Sequence, residues 1–424
     1  MPVPQPAAMM LHAAAMHASA FLRTLHERGF VHQITDAAAL DAAAAAGPVT
    51  AYVGFDCTAP SLHVGNLVSI MMLRWLQRTG HRPIVLMGGG TTKVGDPSGK
   101  DEGRQLLDDA RIEANKASIR RIFARFLDVE GEHPAIMLDN AEWLDGLAYI
   151  PFLRDVGRHF SVNRMLTFDS VRLRLDREQP LSFLEFNYMI LQAYDFLELS
   201  RREGCTLQMG GSDQWGNIVN GTDLIRRIDG RAAFGLTTPL ITTADGAKMG
   251  KTAAGAVWLH EDALPTYDYW QFWRNTHDAD VGRFLRLFTD VPLDEIARLE
   301  ALEGAEINAA KIALADAATA LCRGAEAAAA AKQATAALFE QVSVGDGVAV
   351  TVGGPNTFAV RGPVTIVDAL VGLGFAASKG EARRLVRGGG ARVDGVAVSD
   401  EAMTVAAPAK VSAGKKRHGV IVAA

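Results

Sequence analysis

Cysteine is scarce in this sequence, and the three present, Cys57, Cys205 and Cys322, lie far apart with no CxxC spacing. That argues against a disulfide framework and against a structural zinc site, and it fits a reducing cytoplasm. Long apolar runs are missing as well: nothing approaches the roughly 18 residues that a membrane span requires. The N-terminus lacks early basic residues, the first being Arg23. A secretory signal needs a positive start and a transit peptide several arginines, so neither is expected. The opening residues read as a disordered lead-in to a helix over about 17–29. Charge of one sign is not in excess either, and a net −5 does not by itself suggest a nucleic-acid partner.

What is present is ordinary globular material. Hydrophobic residues make up 49% of 424 and charged ones 21%, enough for two or three domains and a substantial core. The charge is unevenly spread. Residues 361–424 carry ten Lys/Arg against five Asp/Glu, which makes the tail the basic part of an otherwise acidic chain.

Residues 50–245 alternate short apolar runs with helical patterns. TAYVGF, a helix from about Leu62 to Thr79, and RPIVLMGGG form a βαβ unit, which implies a parallel sheet. AIMLDN (135–140) and CTLQMGGSDQ (205–214) read as further strands. Polar residues at the carboxyl ends of such strands are candidates for ligand contact. From about Thr266 the pattern turns helical. Between Ala301 and Glu340, 18 of 40 residues are Ala, but Ile307, Ile312, Leu314 and Leu321 recur at helical spacing, so packed helices are expected rather than a linker. QVSVGDGVAVTVGGPNTFAVRGP (341–363) is Gly-rich and nearly uncharged, a linker with short extended pieces.

Two phosphate motifs are approached and missed. GGGTTKVGDPSGK (88–100) has Val94 where a P-loop needs Gly, and Asp101 where it needs Ser or Thr. The dinucleotide fingerprint fails at Lys93, where its third Gly belongs. More telling is YVGFDCTAPSLHVGNL (52–67): an acid, an imidazole and an amide crowd one strand-to-helix turn, with Gly54 and Gly65 between them. Glycine lets backbone lie flat against a ligand, and a helix N-terminus favours anions. FNYMILQAYD (186–195) reads as an amphipathic helix whose Tyr and Gln share a face, which suits core packing or a binding trio equally. ADGAKMGKTAAG taken alone is a solvated basic turn.

Together, YVGFDCTAPSLHVGNL, GDPSGK (95–100), FNYMILQAYD with LQMGGSDQWGN (207–217), and KMGKT (248–252) resemble the bacterial tyrosyl-tRNA synthetases. The resemblance runs over essentially the whole chain, including FLRTLHERGF near the start and SKGEARRLVRGGGARVDG (378–395) near the end. HVGN stands in for the family's His-x-Gly-His, and KMGKT for its Lys-Met-Ser-Lys-Ser loop. The departure at Asn66 keeps hydrogen bonding but cannot carry charge.

The resemblance implies a Rossmann-like parallel-sheet catalytic domain (1–245 with its N-terminal helix) and a KMGKT loop and connection (246–265). It further implies an α-helical anticodon-arm domain (266–340), a linker (341–360) and a small α+β RNA-binding domain (361–424). The implied substrates are L-tyrosine, ATP accompanied by Mg²⁺, and tRNA(Tyr), with no tightly bound cofactor, no protein metal site and no membrane. Tyr52 and Asp195 are implied to hold the substrate phenol, in the company of Gln208. Asp96, Tyr188 and Gln192 would hold its ammonium and Gln214 its carboxylate. Gly54, Asp56, Gly65, Asn66, Gly210, Gly211 and Asp213 would accommodate the nucleotide. Thr58, His63, Lys100, Arg104, Lys248 and Lys251 would face the departing pyrophosphate. Arg383, Arg384 and Arg387 would meet RNA phosphates. A homodimer with contact near Phe183 and a cytoplasmic location complete the implied picture. Tryptophanyl-tRNA synthetase is the nearest enzyme rival, but it lacks this tail and the Tyr52/Asp195 pair. A catalytically inactive synthetase-like RNA-binding protein is the alternative of a different class.

Overall fold

Two apolar heptapeptides set the frame. β2 (Thr50–Asp56) and β3 (Arg82–Gly88) pair in parallel along their whole length, Thr50 opposite Arg82 and Asp56 opposite Gly88. The structure, a computed structural model, describes residues 17–96, 107–244, 246, 249–252, 255–340, 357–360, 362–414 and 417–423. Both strands are covered on both faces, which is why neither shows a polar alternation. Their side chains still alternate between two cores. Ala51, Val53, Phe55, Val85 and Met87 enter one, whereas Tyr52, Ile84 and Leu86 enter the other.

The helix Val64–Arg78 connects them and buries Leu67, Met71, Trp75 and Leu76. It begins two residues later than the sequence pattern suggests. His63 is held extended instead, bridged to Trp258, with the Leu259 N–H donating to the Leu62 carbonyl (2.8 Å) and the Val64 N–H to that of Val257 (2.9 Å).

β4 (Ile136–Asp139), β5 (Leu207–Gly211) and β6 (Phe234–Thr238) extend the sheet in parallel, and β1 (Gln33–Ile34) lies antiparallel on its edge. The order is β1-β6-β5-β2-β3-β4. The chain thus runs outward from β2 to β4 and then returns to the other side of β2 with β5. β2 and β5 pair only at Ala51–Leu207 and Tyr52–Gln208. Beyond that point their ladder stops, at the reversal of strand order where doubly wound sheets bind ligands.

Helices cover both faces. On one side Phe21 and Leu25 of the helix Ala20–Arg28 share a core with Met71, Trp270, Trp273 and Leu314. On the other, Phe196 and Leu197 of the helix Phe183–Glu203 pack with Leu224 of the helix Trp215–Asp229. The Ala-rich stretch forms the helices Ile307–Arg323 and Ala325–Glu340, with Ala310, Ala315 and Ala318 buried. Its core is continuous with that of the sheet.

The chain divides into two compact units, residues 1–332 and 333–424. The second has its own core of Ile366, Leu370, Val386, Val411 and Ile421 under a five-stranded sheet. Thr357–Val360, at the end of the segment read as a linker, is a strand of that sheet, parallel to Arg417–Ala423. The N-terminal lead-in and residues 341–356 lie outside the described residues. Among the described residues no helix is long and apolar enough to cross a membrane. The fold class is the one the sequence implies: a parallel α/β sheet, a helical region and a small α+β tail.

Candidate active site

A cleft of about 570 Å³ opens where the β2–β5 ladder ends. It brings together Tyr52, Gly54, Asp56, Thr58, His63, Gly65 and Asn66 from the β2 turn, and Asp96 beyond β3. Tyr188, Gln192 and Asp195 join from one helix, and Gln208, Gly210, Gly211, Asp213 and Gln214 from β5 and the turn after it. A second cavity beside Arg164 and Asp223 holds only about 30 Å³, about the volume of one water molecule.

The crowded turn is a helix cap. His63 is the N-cap of the helix Val64–Arg78, and its Nδ1 accepts the Gly65 N–H at 3.0 Å. Asn66 Oδ1 in turn accepts the His63 N–H at 3.1 Å, closing a capping box. An amide oxygen suffices for that bond, which accounts for Asn66 structurally. With Nδ1 accepting, the neutral ring carries its proton on Nε2. The first three helix amides are thus taken, Val64 by Val257, Gly65 by His63 Nδ1 and Asn66 by the His63 carbonyl, so the helix start offers an anion the positive end of its dipole at one mouth of the cleft.

The floor is buried and polar. Asp195 is 2% exposed, with Oδ1 accepting from Trp143 Nε1 (2.7 Å) and Oδ2 from Asn140 Nδ2 (2.9 Å). Burial pushes its carboxyl up to about 7 against those two donors, with Asp56 and Asp139 adding repulsion. Tyr52 is 1% exposed and its hydroxyl makes no hydrogen bond. An orphaned buried hydroxyl costs about 1–3 kcal/mol, so this one awaits a partner. Burial, then the Asp195 charge, pushes the pKa of this phenol well above its usual value. Gln208 Oε1 is likewise unpaired and buried.

Beside the floor runs a chain of side-chain amides. Gln214 Nε2 donates to Asp96 Oδ2 (2.8 Å) and Gln192 Nε2 to Gln214 Oε1 (3.2 Å). Tyr188 Oη donates to Asp56 Oδ1 (3.3 Å), which also accepts from Thr91 Oγ1 (3.1 Å). Cys57 offers no nucleophile: burial pushes its thiol up to about 12.

Glycines mark where backbone comes close. A Cβ on Gly211 would lie 2.5 Å from Asp213 Oδ1, and one on Gly65 3.0 Å from the Met249 carbonyl. Gly54, in contrast, is exposed and faces open space. Lys251 begins a two-residue strand, Lys251–Thr252. Lys100, Arg104 and Lys248 lie outside the described residues. In the second unit, Arg383, Arg384 and Arg387 are exposed on the helix Lys379–Arg387, whose Ala382 and Val386 are buried. Arg383 (3.6 Å) and Arg387 both approach Glu401.

Asn140, Trp143 and Asn217 are absent from the sequence reading. Asn140 had a signal, since it ends the AIMLDN strand, where polar residues are suspect. Trp143 and Asn217 had none: a tryptophan two residues into a helix and an amide in WGN read as packing.

The class I tRNA synthetases (W and Y) family model matches residues 44–340. The tyrosine–tRNA ligase of Novosphingobium aromaticivorans is 65% identical over 409 residues, covering 96% of this chain and 98% of that one. Its counterpart from Rhodospirillum rubrum is also 65% identical, over 411 residues, covering 95% and 98%. Among solved structures, a C-terminally truncated mitochondrial tyrosyl-tRNA synthetase from Aspergillus nidulans superimposes with a TM-score of 0.69 at 30% identity. That match covers 78% of this chain and all of the other.

Proposed function

The chain belongs to the bacterial-type tyrosyl-tRNA synthetases of class I, enzymes that activate tyrosine with ATP and charge tRNA with it, and on that premise we propose how its residues divide the work. Tyrosine enters phenol first. Its hydroxyl donates to Asp195 and accepts from Tyr52, the observation that carries this reading being the orphaned Tyr52 hydroxyl on a floor shared with Asp195. Phenylalanine leaves the Tyr52 hydroxyl unpaired in a dry pocket and brings Asp195 no donor, and tyrosine enzymes are themselves the established example of such rejection. Asp96, Tyr188 and Gln192 take the ammonium, Gln214 the carboxylate, and Gln208 lies beside the ring.

The carboxylate then attacks the α-phosphorus of ATP in line. The new C–O–P linkage forms as the bond to the β-phosphate oxygen breaks, giving tyrosyl-adenylate and pyrophosphate. The substrate carboxylate is already ionised, so no protein nucleophile is needed. The helix N-terminus at His63, with Thr58 and Asn66, stabilises charge on the leaving phosphates. Lys248, Lys251, Lys100 and Arg104 add cations that grip the transition state more tightly than ground-state ATP. Asp56, Gly54, Gly65, Gly210, Gly211 and Asp213 hold the nucleoside. Mg²⁺ arrives as part of the ATP complex, held chiefly by phosphate oxygens. In the second step the 3′-terminal adenosine of tRNA takes the tyrosyl group and releases AMP.

Residues 266–340 dock the anticodon arm, and 361–424 bind RNA through Arg383, Arg384 and Arg387, within the division 1–245, 246–265, 266–340, 341–360 and 361–424. The enzyme works as a homodimer. Exposed large apolar side chains gather in one stretch of the chain, among them Tyr149, Ile150, Val162, Phe183 and Leu184, which supports an interface there. Three buried unpaired cysteines support a cytoplasmic location. The test is tyrosine-dependent ATP–pyrophosphate exchange with tryptophan and phenylalanine as controls. Exchange with tyrosine alone is expected; none with any amino acid, from folded protein, overturns the reading.

A further inference from the structure

Asn217 is 4% exposed and does not line the cleft, yet both hydrogen bonds from its side-chain NH₂ go to residues that do. Its Nδ2 donates to Gln192 Oε1 (3.0 Å) and to Gln214 Oε1 (3.1 Å). Side chain to side chain bonds are the minority class in proteins, about 10–15%. A buried amide that spends both donors on two other amides is therefore specifying something.

Donor and acceptor chemistry shows what. The Asp96 carboxylate can only accept, so the Gln214 NH₂ must face it, and the Gln214 oxygen must point the other way. That oxygen receives both the Gln192 NH₂ and the Asn217 NH₂. With its own NH₂ committed to Gln214, Gln192 turns its oxygen to the second hydrogen of Asn217. The polarity of the chain is thus set from both ends, by a carboxylate at one and by Asn217 at the other. Without Asn217, Gln192 loses the donor that holds its oxygen end, and only the 3.2 Å bond from its NH₂ to Gln214 opposes rotation.

We infer that Asn217 is a positioning residue for the tyrosine ammonium: with Gln214 held separately by Asp96, it fixes the Gln192 amide so that an oxygen, not an NH₂, is the group Gln192 keeps available to that ammonium. A cation needs acceptors around it, and a rotated Gln192 presents a donor to it instead. The inference rests on the proposed reading that Asp96, Tyr188 and Gln192 face that ammonium.

The test uses full-length protein, with Asn217→Leu (similar branching, no donors) and Asn217→Ser (one donor kept). In pyrophosphate exchange, Asn217→Leu raises the tyrosine KM about 10- to 100-fold, while kcat and the ATP KM move less than about threefold. Asn217→Ser falls between it and the parent, and keeps the test alive if the leucine variant misfolds. The separating readout is inhibition by two analogues. Tyramine, which keeps the ammonium, weakens as tyrosine does; 3-(4-hydroxyphenyl)propionate, which lacks it, inhibits parent and variants alike. An unchanged tyrosine KM, or equal weakening of both analogues, overturns the inference. If the propionate already binds the parent as tightly as tyrosine, the ammonium reading itself falls, and this inference with it.

Discussion

Gly250 and Gly65 meet backbone to backbone: a Cβ on Gly250 would lie 2.6 Å from the Gly65 amide nitrogen and 3.0 Å from His63 Nδ1. Gly250 also sits at φ +86°, where a side chain is strained regardless of space. The turn is anchored on either side, the Met249 N–H donating to Ile241 (3.0 Å) and the Val257 N–H to Gly250 (3.0 Å). The second signature of the chain is thereby seated on the helix start formed by the first. Gly250→Ala should push the turn off that helix and slow adenylate formation about 10- to 100-fold. Tyrosine affinity should stay within about twofold, because the amino-acid end of the cleft is untouched. Rapid-quench kinetics paired with equilibrium tyrosine binding checks both halves.

Lys251→Ala should lower the single-turnover rate of adenylate formation by orders of magnitude and leave tyrosine binding nearly unchanged. A cation that acts on departing phosphate contributes to the transition state rather than to amino-acid affinity. A normal single-turnover rate removes Lys251 from the mechanism.

Tyrosine binding should depend on pH through Asp195. Its carboxyl is held up to about 7, and a phenol donating to it favours the ionised form. Affinity should therefore rise with pH: if only the ionised form binds, it is about tenfold weaker at pH 6 than at pH 8. The sign for stability is opposite. The folded value lies above the usual carboxylate value of 3.8, so the ligand-free fold loses stability as pH climbs from about 4 through about 7. Trp143→Phe deletes a donor that favours the charged form and should move the binding midpoint upward. Fluorescence titration across pH 5.5–8.5 on parent and variant measures the shift; a flat profile in the parent rules out Asp195 as the titrating group.

Deleting residues 346–424 should spare tyrosine-dependent pyrophosphate exchange and weaken aminoacylation, mainly through the KM for tRNA. The second unit has its own core, so the first should keep its fold without it. Equal loss of both activities would mean that the tail is needed for the catalytic unit itself.

Sequence patterning made the sheet readable because β2, β3 and β5 are apolar runs ending in Gly or Asp, a strong local signal. β1 and β6 were invisible for the opposite reason: two and five residues whose pairing depends on distant partners. The cleft residues were readable through motifs rather than through physics. FNYMILQAYD alone did not separate packing from binding, and the structure gives Tyr188 and Gln192 polar partners where packing needs none. Hydrogen-bond direction could not be read at all. Nothing in WGN says that Asn217 spends two donors on glutamines from different elements, because that depends on how two helices pack. His63 as a helix cap was half legible: a strand-to-helix turn was evident, but caps are usually Ser, Thr, Asp or Asn.

The short seam between β2 and β5 has a mechanical meaning. Two residue pairs join the halves of the sheet there, while β2 is zipped along its whole length to β3 and β5 to β6. A substrate lying across Val53–Phe55 and Met209–Gly211 spans the gap where that stitching ends, and so behaves as a removable rivet. Occupancy of the cleft should then be legible without any chemistry, as slowed amide hydrogen exchange along those two strand ends.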